Sequence, residues 1–136
     1  MLSLLDLKNN INILEIGSGS GYALALIANM CKNSEIYGIE KVHELVEQSR
    51  KKLKNYKNIK ITEGNGLHEI RKFENFDRIL VSASADKIPD ELIERLEYNG
   101  ILVIPINNDI IKLKKTKKGN KIERYEGFVF VPLVKE

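Results

Sequence analysis

The chain has 136 residues, and its 22 Lys and Arg against 19 Asp and Glu give a formal net charge of +3. That near-balance gives no general reason to expect nucleic acid or an anionic membrane as a partner. A single cysteine, Cys31, excludes an internal disulfide, and no apolar run reaches the roughly 18 residues of a membrane span. We therefore expect one domain, residues 1–136, in a cytoplasmic protein.

Five short runs rich in Ile, Leu and Val predict buried strands, and helical spacing of apolar residues predicts three helices between them. In chain order these are strand 12–16, helix 22–31, strand 35–39, helix 42–53, strand 59–62, strand 77–82, helix 90–96 and strand 101–106. Such alternation is typical of right-handed crossover units. The sequence therefore predicts an α/β fold with a doubly wound, mainly parallel sheet.

A different pattern follows Pro105. Ile111 and Leu113 alternate with lysines, the stretch "KKGNK" indicates a turn, and an apolar run resumes at 128–131 with Phe128, Phe130 and Val131. This predicts an antiparallel hairpin at the C-terminal edge of the sheet. Its lysines, within 112–121, are interpreted as a solvated edge that discourages pairing with other strands, although they would also attract acidic peptides or nucleic acid.

The stretch "ILEIGSGSGY" places Gly17, Gly19 and Gly21 between the first strand and the first helix. Glycines at such a junction let the backbone approach a ligand and point free N–H groups toward it. In open parallel sheets the ligand crevice lies beyond the carboxyl ends of the strands. The dinucleotide fingerprint G-x-G-x-x-G is not met, because position 22 is Tyr and the third glycine falls one place early, so the spacing counts against NAD.

Three polar residues follow or close successive strands near this loop. Glu15 is placed to face the ammonium of an amino-acid-bearing ligand, and Glu40 closes "EIYGIE", where an acid accepts hydrogen bonds from ribose hydroxyls. Asn65, between Gly64 and Gly66, offers an amide to an adenine edge. Because the glycine loop contains no basic side chain, the set favours S-adenosylmethionine over a phosphate-bearing ligand.

Several segments together resemble one known family. The stretches "ILEIGSGSGY", "ITEGNG", "VSASADKIP" and "GFVFVPL" are similar in order and spacing to protein-L-isoaspartate O-methyltransferases, across nearly the whole chain. The resemblance implies a Rossmann-like methyltransferase fold and an S-adenosylmethionine-dependent enzyme that methylates isoaspartyl carboxylates in damaged proteins. It implies cofactor contacts at Glu15, Gly17, Ser18, Gly19, Gly21, Tyr22, Glu40, Lys41, Gly64, Asn65, Gly66, Ser82 and Ala83, with 82–85 lining the methyl-transfer end.

The sequence departs from the family pattern in three places. Asn65 stands where the family usually has Asp, and Asn99 precedes Gly100 where it usually has two glycines. Family members also carry an amino-terminal segment, with Thr-Ile-Ser, that covers the cofactor and orients the substrate, and we expect no counterpart here. A fragment, a minimal member, a noncatalytic subunit needing a partner chain, and a methyltransferase of a small molecule or RNA therefore stay open.

The remaining candidates are given structural roles. His43 and His68 lack the companions of a metal site and are predicted at the surface, while Cys31 is predicted in the core. Tyr22 and Tyr37 are interpreted as packing aromatics, with Tyr22 near enough to the loop to touch cofactor. No metal is predicted. No catalytic residue is named either, because an isoaspartyl carboxylate with a pKa of about 3.5 is already ionised and needs no general base.

Overall fold

The computed structural model describes residues 1–127, which contain one seven-stranded sheet. The strands are β1 (Asn12–Ile16), β2 (Glu35–Glu40), β3 (Ile59–Glu63), β4 (Phe76–Val81), β5 (Leu96–Ile106), β6 (Asp109–Thr116) and β7 (Gly119–Tyr125). Their order in the sheet is β3-β2-β1-β4-β5-β6-β7. The first five pair in parallel and the last two antiparallel, so the predicted doubly wound sheet with a terminal hairpin is confirmed.

The helices lie in the connections between the parallel strands. They are α1 (Tyr22–Met30), α2 (His43–Lys52), α3 (Gly66–Glu69) and α4 (Asp90–Glu94), with short 3-10 turns at Leu2–Leu5 and Ile70–Lys72. The two turns and α3 were not predicted, because segments of three or four residues are too short to show a hydrophobic period. The ends of α1 and α2 lie within one residue of the prediction.

The predicted helix 90–96 is wrong at its end. α4 stops at Glu94, and the fully buried Leu96 begins β5, pairing with Phe76 of β4. The next pair in the ladder joins Arg78 to Ile101, so residues 97–100 lie outside the ladder with β4. Leu96 has the spacing of a helix residue but belongs to a strand, because its pairing with a residue distant in the chain outweighs the local helical pattern.

The C-terminal hairpin forms the edge of the sheet within the described residues. β6 and β7 pair across the "KKGNK" turn, and every residue of β7 is exposed. Some of its lysines make specific contacts: Lys112 Nζ lies 3.1 Å from Asp6 Oδ2, and Lys115 Nζ donates to the carbonyls of Ile93 and Leu96. The predicted apolar run at 128–131 lies outside the described residues.

Apolar side chains pack on both faces of the sheet. Alternate residues of β1 and β4 point to opposite faces, so Leu14 and Ile79 join one cluster while Ile13 and Leu80 join the other side. Cys31 is buried beside Ile13, as predicted. Tyr37 packs edge-on against Phe73 and Phe76, as predicted. The packing role predicted for Tyr22 is wrong, because 75% of that residue is exposed.

The turn at Leu2–Leu5 is held to the sheet by one buried arginine. Arg78, only 6% exposed, donates from Nε to the carbonyl of Leu5 and from Nη2 to that of Asp6, 3.0 Å away. Leu5 itself is fully buried against Leu80 and Val103. The first residues of the chain therefore close one face of the sheet.

Substituting Arg78→Met is expected to lower the free energy of unfolding by about 2 kcal/mol, because it leaves the buried Leu5 carbonyl without its donor. Denaturant unfolding measures the effect. The matched control is Arg50→Met: Arg50 also donates to a backbone carbonyl, that of Ile61, but is exposed, so its loss is expected within about 0.5 kcal/mol. Equal losses in the two variants would contradict the role assigned to Arg78.

Candidate functional site

The glycine loop lies at the carboxyl end of β1 and closes onto β2. Gly17, Gly19 and Gly21 have φ values of +80°, +58° and +93°, which L side chains rarely adopt. The Gly17 N–H donates to the carbonyl of Ile39 at 2.8 Å, and the Gly21 N–H donates to that of Ser18 at 3.0 Å. The loop therefore has a fixed shape and needs glycine at these three positions.

Glu40 connects the loop to the next helix. Its Oε1 accepts from the Gly19 N–H and its Oε2 from the Val42 N–H, both at 2.8 Å, and the residue is buried. The Glu40 carbonyl in turn accepts from the Gly64 N–H at 2.9 Å. The acid predicted for ribose therefore holds together the ends of β1, β2 and β3 in this structure.

Glu15 lies beneath the loop and meets β4. Ser82 Oγ donates to Glu15 Oε2 at 2.6 Å, and the Ser82 N–H donates to the Ile16 carbonyl at 2.9 Å. Glu15 is 3% exposed, and its Oε1 is buried without a hydrogen-bond partner among residues 1–127. Burial raises the pKa of Glu15 from its usual 4.5 to about 7, against the lowering effect of the Ser82 hydrogen bond and with a small further rise from Glu40.

The end of β3 carries a polar turn beside the loop. Asn65 Oδ1 accepts from the N–H groups of Leu67 and His68 at 3.1 and 3.2 Å, so the side-chain amide expected to face adenine uses its oxygen to cap α3. Gly66 lies so close to β1 that an added methyl group would come within 2.3 Å of Ile16 Cγ2. Glycine at position 66 thus lets the start of α3 pack closely against the end of β1.

A histidine and an acid meet on the rim of this edge. His43 Nδ1 lies 2.8 Å from Glu63 Oε1, and both side chains are exposed. The hydrogen bond from Glu63 raises the pKa of His43, and the carboxylate charge adds to that effect. His43 and His68 lie at the surface, as predicted. No sequence pattern indicated the pairing, since the two residues are 20 positions apart.

Most of the predicted cofactor residues come together at one edge of the sheet, where β1, β2, β3 and β4 end. Three of the predicted residues lie at the margin of this edge. Tyr22 lies on the outer side of the loop, in a groove with Lys52 and Tyr56. Lys41 is exposed next to Glu40, and Ala83 is half-buried one residue beyond Ser82.

Sequence reasoning missed two features of this edge. The bond between Ser82 and Glu15 joins residues 67 positions apart, and the packing of Gly21 against Leu53 and Ser49 joins the loop to α2. Neither pair has a local signal. Within residues 1–127, no three His, Cys, Asp or Glu side chains are grouped to hold a metal, and no helix is long and apolar enough to cross a bilayer.

Comparison with known proteins decides the family. The sequence profile of the protein-L-isoaspartate(D-aspartate) O-methyltransferases matches residues 1–136. The chain belongs to this family. A protein-L-isoaspartate O-methyltransferase of Methanococcus aeolicus is 42% identical over 96% of this chain and 63% of its own length. That of Pyrococcus horikoshii is 37% identical over 100% of this chain and 65% of its own length.

Solved structures of the family have the same fold. The crystal structure of a protein-L-isoaspartate O-methyltransferase from Plasmodium falciparum, in complex with S-adenosyl-L-homocysteine, superposes with a TM-score of 0.86. It is 32% identical and the match covers 99% of this chain and 71% of that one. A second protein-L-isoaspartate O-methyltransferase, 20% identical, gives a TM-score of 0.89 over 98% of this chain and 45% of its own, and supports the fold. The chain thus spans less than two thirds of the first curated relatives that it matches.

Proposed function

We propose that this chain binds S-adenosylmethionine at the carboxyl edge of β1 to β4 and transfers its methyl group to the carboxylate of an isoaspartyl residue. The observation that carries the proposal is the unpaired, buried Oε1 of Glu15 beneath the glycine loop. A buried carboxylate oxygen without a partner is costly, and the ammonium of an amino-acid-bearing ligand would satisfy it. The family relative that was solved with S-adenosyl-L-homocysteine supports the same ligand class.

The residues present fit such a cofactor. A methyl group added at Gly19 would meet no atom within 4 Å, so the loop faces open space there. Glu15 would bind the ammonium of the ligand, and Glu40 would accept hydrogen bonds from its ribose hydroxyls. The glycine loop would let the ligand approach the backbone closely. The nucleobase would lie by the Asn65 turn, and Lys41, Tyr22, Ser82 and Ala83 would border the site. When bound, the cofactor supplies an electrophilic methyl group on sulfur.

The acceptor needs positioning more than activation. An isoaspartyl carboxylate with a pKa of about 3.5 is ionised at neutral pH, so no side chain has to remove a proton. Methyl transfer is an in-line displacement whose barrier falls mainly through holding the two reacting atoms together. Segment 82–85 borders the expected transfer end: its Ala85 N–H donates to the Pro105 carbonyl at 3.0 Å, so the end of β5 holds it in place. We propose that this hydrogen bond fixes segment 82–85, which then positions the acceptor carboxylate.

The test is transfer of labelled methyl to an isoaspartyl peptide, with its aspartyl twin as substrate control and binding of S-adenosylhomocysteine measured in parallel. We expect label on the isoaspartyl peptide alone. Binding without transfer to either peptide would contradict the proposed activity and would favour a noncatalytic subunit that needs a partner chain. Absence of binding would contradict the proposed cofactor site. A cytoplasmic location, favoured by the buried free thiol of Cys31, belongs to the same proposal.

A further inference from the structure

Two Asn-Gly dipeptides occur in the sequence, at 65–66 and 99–100. Asparagine followed by glycine is chemically labile, because glycine has no side chain to hinder attack by its own backbone nitrogen on the asparagine amide. The two pairs lie in different surroundings. Asn65 has its side-chain oxygen held by two backbone donors at the start of α3, whereas Asn99 makes no side-chain hydrogen bond within residues 1–127.

We propose that Asn99-Gly100 is a site of spontaneous deamidation, and that the isoaspartyl residue formed there is methylated by a second copy of this chain. The first part is independent of the proposed function, and the second part rests on it. Asn99 is exposed and has a φ of +68°, in the left-handed region that asparagine tolerates better than most residues.

The turn favours glycine at position 100 and either Asn or Gly at position 99. A methyl group added at Gly100 would lie 2.7 Å from the carbonyl oxygen of Glu97, so position 100 accepts no side chain without moving backbone. Position 99, with its positive φ, favours Asn or Gly. The fold therefore fixes glycine after residue 99, and the choice of Asn at 99 makes the pair reactive.

The local backbone also tolerates the product. Isoaspartate adds one methylene group to the main chain, which would shift the register of a paired strand. Residues 99 and 100 have no register partner on β4 or β6, and the ladders resume at Ile101. The extra carbon thus enters a part of β5 that is already outside the ladder.

The chemistry needs only water until the methyl step. The Gly100 nitrogen bonds to Asn99 Cγ, the bond from Cγ to the amide nitrogen breaks, and that nitrogen leaves as ammonia with the proton lost from Gly100. Water then opens the succinimide at either carbonyl. Opening at the main-chain carbonyl of residue 99 leaves a peptide bond through Cγ and a free α-carboxylate, which is isoaspartate. One oxygen of that carboxylate then takes the methyl group as the sulfur–methyl bond of S-adenosylmethionine breaks.

Geometry requires that the methylating copy be a different molecule. Residue 99 lies near the start of β5, before the continuous ladder that begins at Ile101, whereas Ser82 follows the carboxyl end of β4, which runs parallel to β5. At about 3.3 Å per residue, the strand separates the two positions by roughly 16 Å. A chain cannot bring its own residue 99 to its own proposed site without unfolding β5.

The test uses the full chain, aged in neutral buffer and then mixed with fresh chain and labelled S-adenosylmethionine. Peptide mapping is expected to find isoaspartate at position 99, and the label on that peptide is expected to increase with the concentration of fresh chain. Asn99→Gly suits the positive φ and is expected to lose this label while keeping activity on an isoaspartyl peptide. The matched control, Asn33→Gly, changes another exposed Asn of positive φ that precedes Ser34, and is expected to keep the label.

Three results would overturn the inference: isoaspartate at 65 in place of 99, equal labelling of aged Asn99→Gly and wild-type chains, or labelling independent of protein concentration. Failure of the proposed function is distinguishable. If mapping finds isoaspartate at 99 but neither the aged chain nor a synthetic isoaspartyl peptide takes label, the modification site stands and the methyltransferase activity does not.

Discussion

Replacing Gly21 with alanine is expected to lower the free energy of unfolding by about 2–5 kcal/mol, the sum of about 1–2 for a side chain at positive φ and about 1–3 for overpacking. The added methyl group would lie 2.7 Å from Leu53 Cδ1 and 3.2 Å from Ser49 Cβ. Ser49 lies in the last turns of α2 and Leu53 directly follows that helix, so the loop and the end of α2 would have to separate. Denaturant unfolding measures the loss.

The matched variant is Gly19→Ala, in the same loop. Gly19 also has a positive φ, but an added methyl group meets nothing within 4 Å, so only the backbone cost of about 1–2 kcal/mol is expected. Because that methyl group would occupy the space proposed for the cofactor, Gly19→Ala is expected to weaken S-adenosylhomocysteine binding in calorimetry. Equal stability losses for the two variants would show that Leu53 moves aside at no cost.

Replacing Glu15 with glutamine is expected to change how stability depends on pH. The pKa of Glu15 is raised from 4.5 to about 7, so between these values the folded protein keeps a proton that the unfolded chain releases. The free energy of unfolding therefore falls as pH rises from 4.5 to 7, by about 3 kcal/mol in total, and this contribution is constant above pH 7. Glutamine is uncharged at every pH, so the free energy of unfolding of Glu15→Gln does not fall in this way.

Chemical unfolding of the protein without cofactor, measured from pH 4 to pH 8, checks the prediction. The stability of Glu15→Gln relative to wild type should increase across the window and then level off. Glu35→Gln, an exposed substitution at the start of β2, is the control and should follow wild type within about 0.5 kcal/mol. A constant difference between Glu15→Gln and wild type would show that folding does not change the pKa of Glu15.

Cofactor binding gives a second measurement on the same residue, and it rests on the proposed function. An ammonium beside Glu15 favours the ionised carboxylate, so wild-type affinity for S-adenosylhomocysteine is expected to rise with pH as Glu15 ionises around its pKa of about 7. Glu15→Gln should bind more weakly and without that rise. An unchanged pH profile in the variant would place the ligand ammonium elsewhere.

The sequence by itself determined the parallel strands, the two main helices and the glycine loop between β1 and α1. These features depend on local patterns. Buried strands are short runs of Ile, Leu and Val, and the apolar residues of α1 and α2 follow the helical period. A tight turn with positive φ values needs glycine at those positions. Glu15 and Glu40 were predicted as site residues for the same reason, because each lies at or next to the end of a predicted strand.

Only the tertiary structure decided what those residues contact. Three of these contacts join segments far apart in the chain. They are the hydrogen bond from Ser82 to Glu15, the hydrogen bond from Arg78 to the Leu5 carbonyl and the packing of Gly21 on Leu53. The end of α4 was likewise fixed by the pairing of Leu96 with β4. Such contacts depend on how strands and helices are brought together, which no local period encodes, and burial at these contacts sets the raised pKa of Glu15.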